Sequence, residues 1–121
     1  MKKTLLALAA LPLLALGGCT STYAVDLRNQ ASQPVFAELL ARSPDGGLAL
    51  VGQPIRLGPG DRGGIGPVSV DAQRQLVLRA DTPGNPGRPA MLDVTPGTTV
   101  AIVGQDGTAA NSPITLRPSQ N

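Results

Sequence analysis

QLVLRADTPGNPGRPAMLDVTPGTTVAIVGQ (residues 75–105) carries the plainest structural pattern in the chain. Leu76, Leu78 and Ala80 alternate with Gln75, Val77 and Arg79; Ala90, Leu92 and Val94 alternate with Met91 and Asp93; Val100 and Ile102 alternate with Ala101 and Val103. A period of two places successive side chains on opposite faces of a strand, whereas a helix needs apolar residues three and four apart. Between the runs lie DTPGNPGRP (81–89), a loop, and TPGT (95–98), a turn. Short alternating runs separated by turn signals at this spacing mark an all-β sandwich.

Working outward, the same period recurs. Val25 and Leu27 oppose Asp26 and Arg28, and Val35, Ala37, Leu39 and Ala41 form an apolar file whose reverse carries Phe36, Glu38, Leu40 and Arg42. SPDGG (43–47) is a turn, since Asp-Gly accepts positive φ. Leu48 and Leu50 precede a break at 52–54, with Ile55 and Leu57 beyond it. The run GPGDRGGIG (58–66) is too glycine-rich for a strand interior, and Val68 and Val70 read as a short edge strand next to Pro67. Ile114 and Leu116 close the series after a loop at 105–112. IRLGPGD (55–61) and LDVTPGT (92–98) share a Pro-Gly pair, the signature of a type II turn used at two corners. The expected fold is therefore a small antiparallel β-sandwich of about seven or eight strands, immunoglobulin-like or transthyretin-like in general shape. It lacks the Cys and Trp markers of true immunoglobulin domains, so only the architecture is implied.

The N-terminus has a different grammar. Lys2 and Lys3 precede an apolar run, 5–16, broken only by Pro12, and small residues follow immediately before Cys19. That order of charge, apolar core and small-residue zone is that of a secretory signal. As a helix the run would span roughly 18 Å, short of the ~30 Å hydrocarbon core of a bilayer. Leu16-Gly17-Gly18-Cys19 resembles the lipobox of bacterial lipoproteins. The resemblance implies cleavage between Gly18 and Cys19 and lipid (palmitate among the chains) on Cys19, with Leu16 at the branched apolar site. Gly17 departs mildly from the Ala or Ser common in that family. Two other readings of these residues are an ordinary cleavage site beside an ordinary Cys, and an uncleaved core helix. The spacing, the small pair and the absence of a second Cys favour lipidation.

Composition narrows the chemistry. After cleavage one small domain remains, which no intramolecular disulfide can staple. Lys2 and Lys3 account for two of ten basic residues, leaving eight Arg against eight acidic residues, so no basic surface for nucleic acid is implied. With no His, and the lone Cys assigned to lipid, an imidazole-assisted nucleophile and the usual zinc sites are excluded. The loop at 105–112 carries oxygen ligands without the spacing of a calcium loop. No catalytic residue, metal or cofactor is expected.

The expected organisation is a signal peptide at 1–18, a lipidated Cys with a short tether at 19–22, the sandwich at 23–117 and a tail at 118–121. By resemblance to the enterobacterial sorting rule, Thr20 after the Cys implies the periplasmic face of the outer membrane, with the inner membrane and the cell surface as alternatives. The expected function is a non-catalytic interaction or structural module of the cell envelope, held by the membrane and touching another envelope protein through sheet edges or the two long loops. The alternative is a glycan- or small-solute-binding module. Asp81, Arg88 and Asp106 are the candidate binding residues, and Phe36 is expected to be packed rather than offered as a sugar platform.

Overall fold

The computed structural model describes residues 19–84, 87–107, 109 and 112–119. Among them are eight strands: β1 Thr20–Asn29, β2 Val35–Arg42, β3 Leu48–Leu57, β4 Arg62–Asp71, β5 Leu76–Asp81, β6 Ala90–Val94, β7 Gly97–Gln105 and β8 Ile114–Pro118. They form two four-stranded sheets, ordered β4-β1-β7-β8 and β3-β2-β5-β6, packed as a sandwich. Pairing is antiparallel except where β1 runs parallel to β7. The first two strands fall in different sheets, whereas an immunoglobulin sandwich keeps them together, so the order is not the immunoglobulin one.

Alternation builds the core. Leu27, Leu39, Leu76 and Leu78 are fully buried between the sheets with Val25, Val35, Ala37, Ala101 and Val103. Each such Leu contributes about 1.5–3 kcal/mol by leaving water. Tyr23 and Ile65 fill the end of the core nearer residue 19.

Two expectations about strand limits are corrected. The glycine-rich run is not all loop: residues 62–66 belong to β4, and 62–65 pair with Val25–Arg28 of β1. The strand lies close to its neighbours, and Gly66 is the position where glycine is required. A Cβ at Gly63 would meet Leu57 Cδ2 at 2.9 Å, and one at Gly66, whose φ is +91°, would meet the Tyr23 carbonyl at 2.8 Å. The break at 52–54 does not end β3 either. It is a bulge, with Ala37 opposite Ile55 and Leu39 opposite Val51. Pro54 is tolerated because β3 is an edge strand. The Pro-Gly corners behave as expected: Gly60 and Gly97 have φ of +81° and +95°, and Asp61 N–H closes the first turn onto Gly58 O at 3.0 Å.

The strand directions give the sandwich two poles. At one lie Cys19, whose carbonyl accepts from Ala72 N–H at 3.1 Å, and the turns β2–β3, β4–β5 and β6–β7. At the other lie the connections β1–β2, β3–β4, β5–β6 and β7–β8. The ten residues of β1 span the distance, about 33 Å at strand rise. The expected tether is not one: Thr20, Ser21 and Thr22 pair with Asp71, Val70 and Ser69 as the start of β1.

Asn29 secures the far pole. Its side chain is buried, and Nδ2 donates to Gln33 O at 2.9 Å, Leu57 O at 3.1 Å and Gly58 O at 3.0 Å, two hydrogens shared among three carbonyls. Its Oδ1 accepts from Ala31 N–H at 3.0 Å. Ser32 and Gln33 then bind Gln105 and the Ser112 carbonyl, tying the β1–β2 loop to β7 and the loop after it.

Candidate functional site

The outer faces of the two sheets differ. On the first sheet, Asp26, Arg28, Arg62, Thr115 and Arg117 make a polar surface. Arg62 forks onto Asp26 at 2.8 and 3.2 Å. This hydrogen bond holds the Asp26 carboxyl below its ordinary value of 3.8, against a partial opposing effect of burial and with help from the Arg62 and Arg28 charges.

The second sheet exposes every large apolar side chain that stands far out of the core among the described residues: Phe36, Leu48, Leu50 and Met91. All four share the outer phase, since Phe36 lies opposite Arg56 and Asp81, Leu50 opposite Leu40, Leu48 opposite Arg42, and Met91 opposite Arg79. Leu40 and Val77 are paired on the same face and are buried by their neighbours there. Across its middle runs an ion pair in which Arg79 donates from Nε to Glu38 Oε2 at 2.9 Å and from Nη2 to the same oxygen.

Where this face meets the far pole it opens into a groove of about 620 Å³. Phe36 and the Glu38–Arg79 pair form one side, and Pro54, Pro83 and Pro89 supply rigid apolar walls. The Phe36 ring is 46% exposed, with the Arg56 guanidinium 5.5 Å from its centroid, a cation–π geometry. Phe36 is thus not packed, contrary to the expectation from sequence. Thr82, in the groove wall, buries a hydroxyl that has no hydrogen-bond partner among the described residues. The site offers an apolar, ridged surface with one fixed ion pair, suited to gripping a partner's side chains.

The candidate residues separate. Asp81 lines the groove, half-buried, and its Oδ1 accepts from Thr82 N–H at 2.8 Å. Arg88 is exposed between Gly87 and Pro89, which both line the groove. Asp106 is exposed on the β7–β8 connection of the opposite sheet and does not line the groove. Cys19 is exposed at the other pole. Leu16, Gly17 and Gly18 lie outside the described residues. The signal for the face was legible in VFAELLAR, where both phases of β2 are apolar. A strand with only one buried face has no need of Phe36 and Leu40.

No family model matches the chain, and no curated protein matches it in sequence. Among solved structures it is similar to the T6SS lipoprotein TssJ1 from Pseudomonas aeruginosa, at 14% identity over 84% of this chain and 98% of that chain, with a TM-score of 0.47. A similarity at that level leaves function to be argued from the residues of this chain.

Proposed function

We propose that the protein is a bacterial lipoprotein that serves the cell envelope as a non-catalytic interaction module. In this reading residues 1–18 are removed, lipid on Cys19 anchors the chain at the periplasmic face of the outer membrane, and the sandwich carries a contact surface for another envelope protein. The observation that carries the reading is the placement of Cys19 and the groove at opposite ends of the sandwich. A chain anchored at one pole presents Phe36, Asp81 and Arg88 about 20 Å from the bilayer, the run of β2 from Arg42 back to Phe36. Because strand pairing begins at Thr20, that distance is fixed by the sheet and does not depend on a flexible linker.

Durable anchoring needs more than one acyl chain, each buried methylene contributing about 0.8 kcal/mol. Cys19→Ser then releases the protein from sedimented envelopes and abolishes palmitate labelling. A Cys19→Ser protein that stays with the envelope, or a parent without label, refutes the anchor. For the contact surface, Phe36→Asp placed in the anchored protein loses the envelope protein that chemical crosslinking captures with the parent. An unchanged crosslinked product refutes the groove as the surface.

The second reading, a glycan- or small-solute-binding module, is favoured by one observation, the exposed Phe36 ring beside Asp81. Binding of oligosaccharides to the purified protein, lost on Asp81→Ala and Arg88→Ala, supports that reading over the first.

A further inference from the structure

We propose that the pole carrying Cys19 is itself a membrane-seating surface, which grips phospholipid beside the lipid anchor and holds the sandwich end-on. The proposal rests on the anchoring of Cys19 put forward above.

The residues come together through the turns. Ala72 of the β4–β5 turn binds the Cys19 carbonyl, and Gln75 of that turn accepts from Arg42 N–H at 2.9 Å at the end of β2. Between the β2–β3 and β4–β5 turns lies a hollow of about 440 Å³, with Arg42, Pro44, Asp71 and Arg74 on its walls. Arg42 and Arg74 are exposed, and neither is in an ion pair among the described residues. The carboxylates of the two turns that bound the hollow are turned onto their own backbone: Asp71 Oδ1 accepts from Gln73 N–H and Asp45 Oδ1 from Gly47 N–H, both at 3.1 Å. The long guanidinium arms thus extend where the short carboxylates do not, a disposition that suits headgroup phosphates.

The apolar part lies directly alongside. Leu48 opens β3 opposite Arg42 and is 41% exposed, and Leu50, one repeat further along the same face, is 52% exposed. These are the two exposed leucines among the described residues, and both follow a turn of this pole. Apolar tips with Arg beside them match the boundary between headgroups and acyl chains. Phe36, six residues along β2 from Arg42, stays about 20 Å from that boundary.

The chain contains no Trp, so a single introduced indole reports its depth cleanly. The mature lipoprotein carrying Leu48→Trp is reconstituted in vesicles of phosphatidylethanolamine and phosphatidylglycerol with brominated acyl chains. Its emission is expected to be blue-shifted and largely quenched, and that of Phe36→Trp to be neither. Adding Arg42→Gln and Arg74→Gln to Leu48→Trp is expected to shift the emission toward the red. Vesicle-bound, acylated protein with Trp at position 48 unquenched overturns the seating and leaves the anchor standing, and quenching of Phe36→Trp as well overturns the end-on geometry. An unchanged spectrum in the double arginine variant overturns the headgroup contact. Protein that mass spectrometry finds without acyl chains overturns the anchor, and the seating with it.

Discussion

Replacing Asn29 gives a stringent test of how the far pole is held. Asn29→Ala takes a side-chain partner from four backbone groups at once, the Ala31 N–H and the carbonyls of Gln33, Leu57 and Gly58, of which Gly58 keeps its bond from Asp61 N–H. A buried group left unsatisfied costs about 1–3 kcal/mol. The Gly58 carbonyl is only partly buried and can turn to water, so two or three groups bear the loss, about 3–5 kcal/mol together. In a domain of this size 1 kcal/mol moves Tm by about 4–8 °C, so a fall on the order of 20 °C is expected. Asn29→Asp keeps the shape and the acceptor for Ala31 but turns an oxygen toward three carbonyl oxygens. Burial and those dipoles raise the new carboxyl's pKa in the folded state above its unfolded value. The variant is therefore least destabilised at acid pH and loses stability as pH rises through the folded value. Urea unfolding of the chain from residue 19 with Cys19→Ser, followed by circular dichroism at pH 4.5 and 7.5 and referred to the parent at each pH, measures both effects. An Asn29→Ala protein within about 1 kcal/mol of the parent, or an Asn29→Asp deficit equal at both pH values, refutes the role assigned to this side chain.

Other outcomes follow from the same geometry. Thr82→Val removes a buried hydroxyl that lacks a partner among the described residues and keeps its shape, so it is expected to leave stability unchanged or raise it by about 1 kcal/mol in thermal melts; a loss of that size contradicts the assignment. Gly66→Ala, with the Tyr23 carbonyl 2.8 Å from the new Cβ, is expected to cost more than Gly97→Ala, which meets nothing within 4 Å. The latter carries only the positive-φ strain, about 1–2 kcal/mol, and equal melting temperatures for the two refute the crowding of β4 on β1. Asp26→Asn changes stability at neutral pH by less than about 1 kcal/mol, as an exposed pair should. Since the folded pKa of Asp26 is lowered from 3.8 by the Arg62 hydrogen bond, its stabilisation is present above that value and lost as pH falls through the folded one. The acid limb of the parent's stability curve should thus be shallower in Asp26→Asn, and identical limbs refute the linkage.

Much of the fold was written in the spacing of residues. Period two in 76–80, 90–94 and 100–103 marks β5, β6 and β7, and the paired Pro-Gly corners take the positive φ that their chemistry requires. What local reading misjudged was the edge strands. Glycine lowers strand propensity in isolation, yet β4 uses Gly66 to approach the β1 backbone more closely than a Cβ permits, and Gly63 and Gly64 lie in tight contact with Leu57 and the Val25 carbonyl. That need arises only once distant strands are paired. Pro54 interrupts a strand pattern for the same local reason and sits on an edge where its missing N–H is not required. The candidate site was legible to a degree. Asp81 and Arg88 flank the groove because one loop carries both, whereas Asp106 belongs to the other sheet. Alternation tells which residues share a face and does not tell which sheets stack or which outer face stays bare. Hence Phe36 read as core, although the apolar reverse of β2 already held the clue.

The position of β1 inside its sheet has a mechanical consequence. It is hydrogen-bonded to β4 along one side and to β7 along the other, and it begins at the residue next to Cys19. A pull between an anchored end and a load at the far end runs along the strand, while the hydrogen bonds of a sheet lie across it. Both ladders must then slide together, since neither can unzip rung by rung. Tension is shared over the length of the sheet, a loading geometry in which a small sandwich resists extraction far better than when it is peeled from an edge.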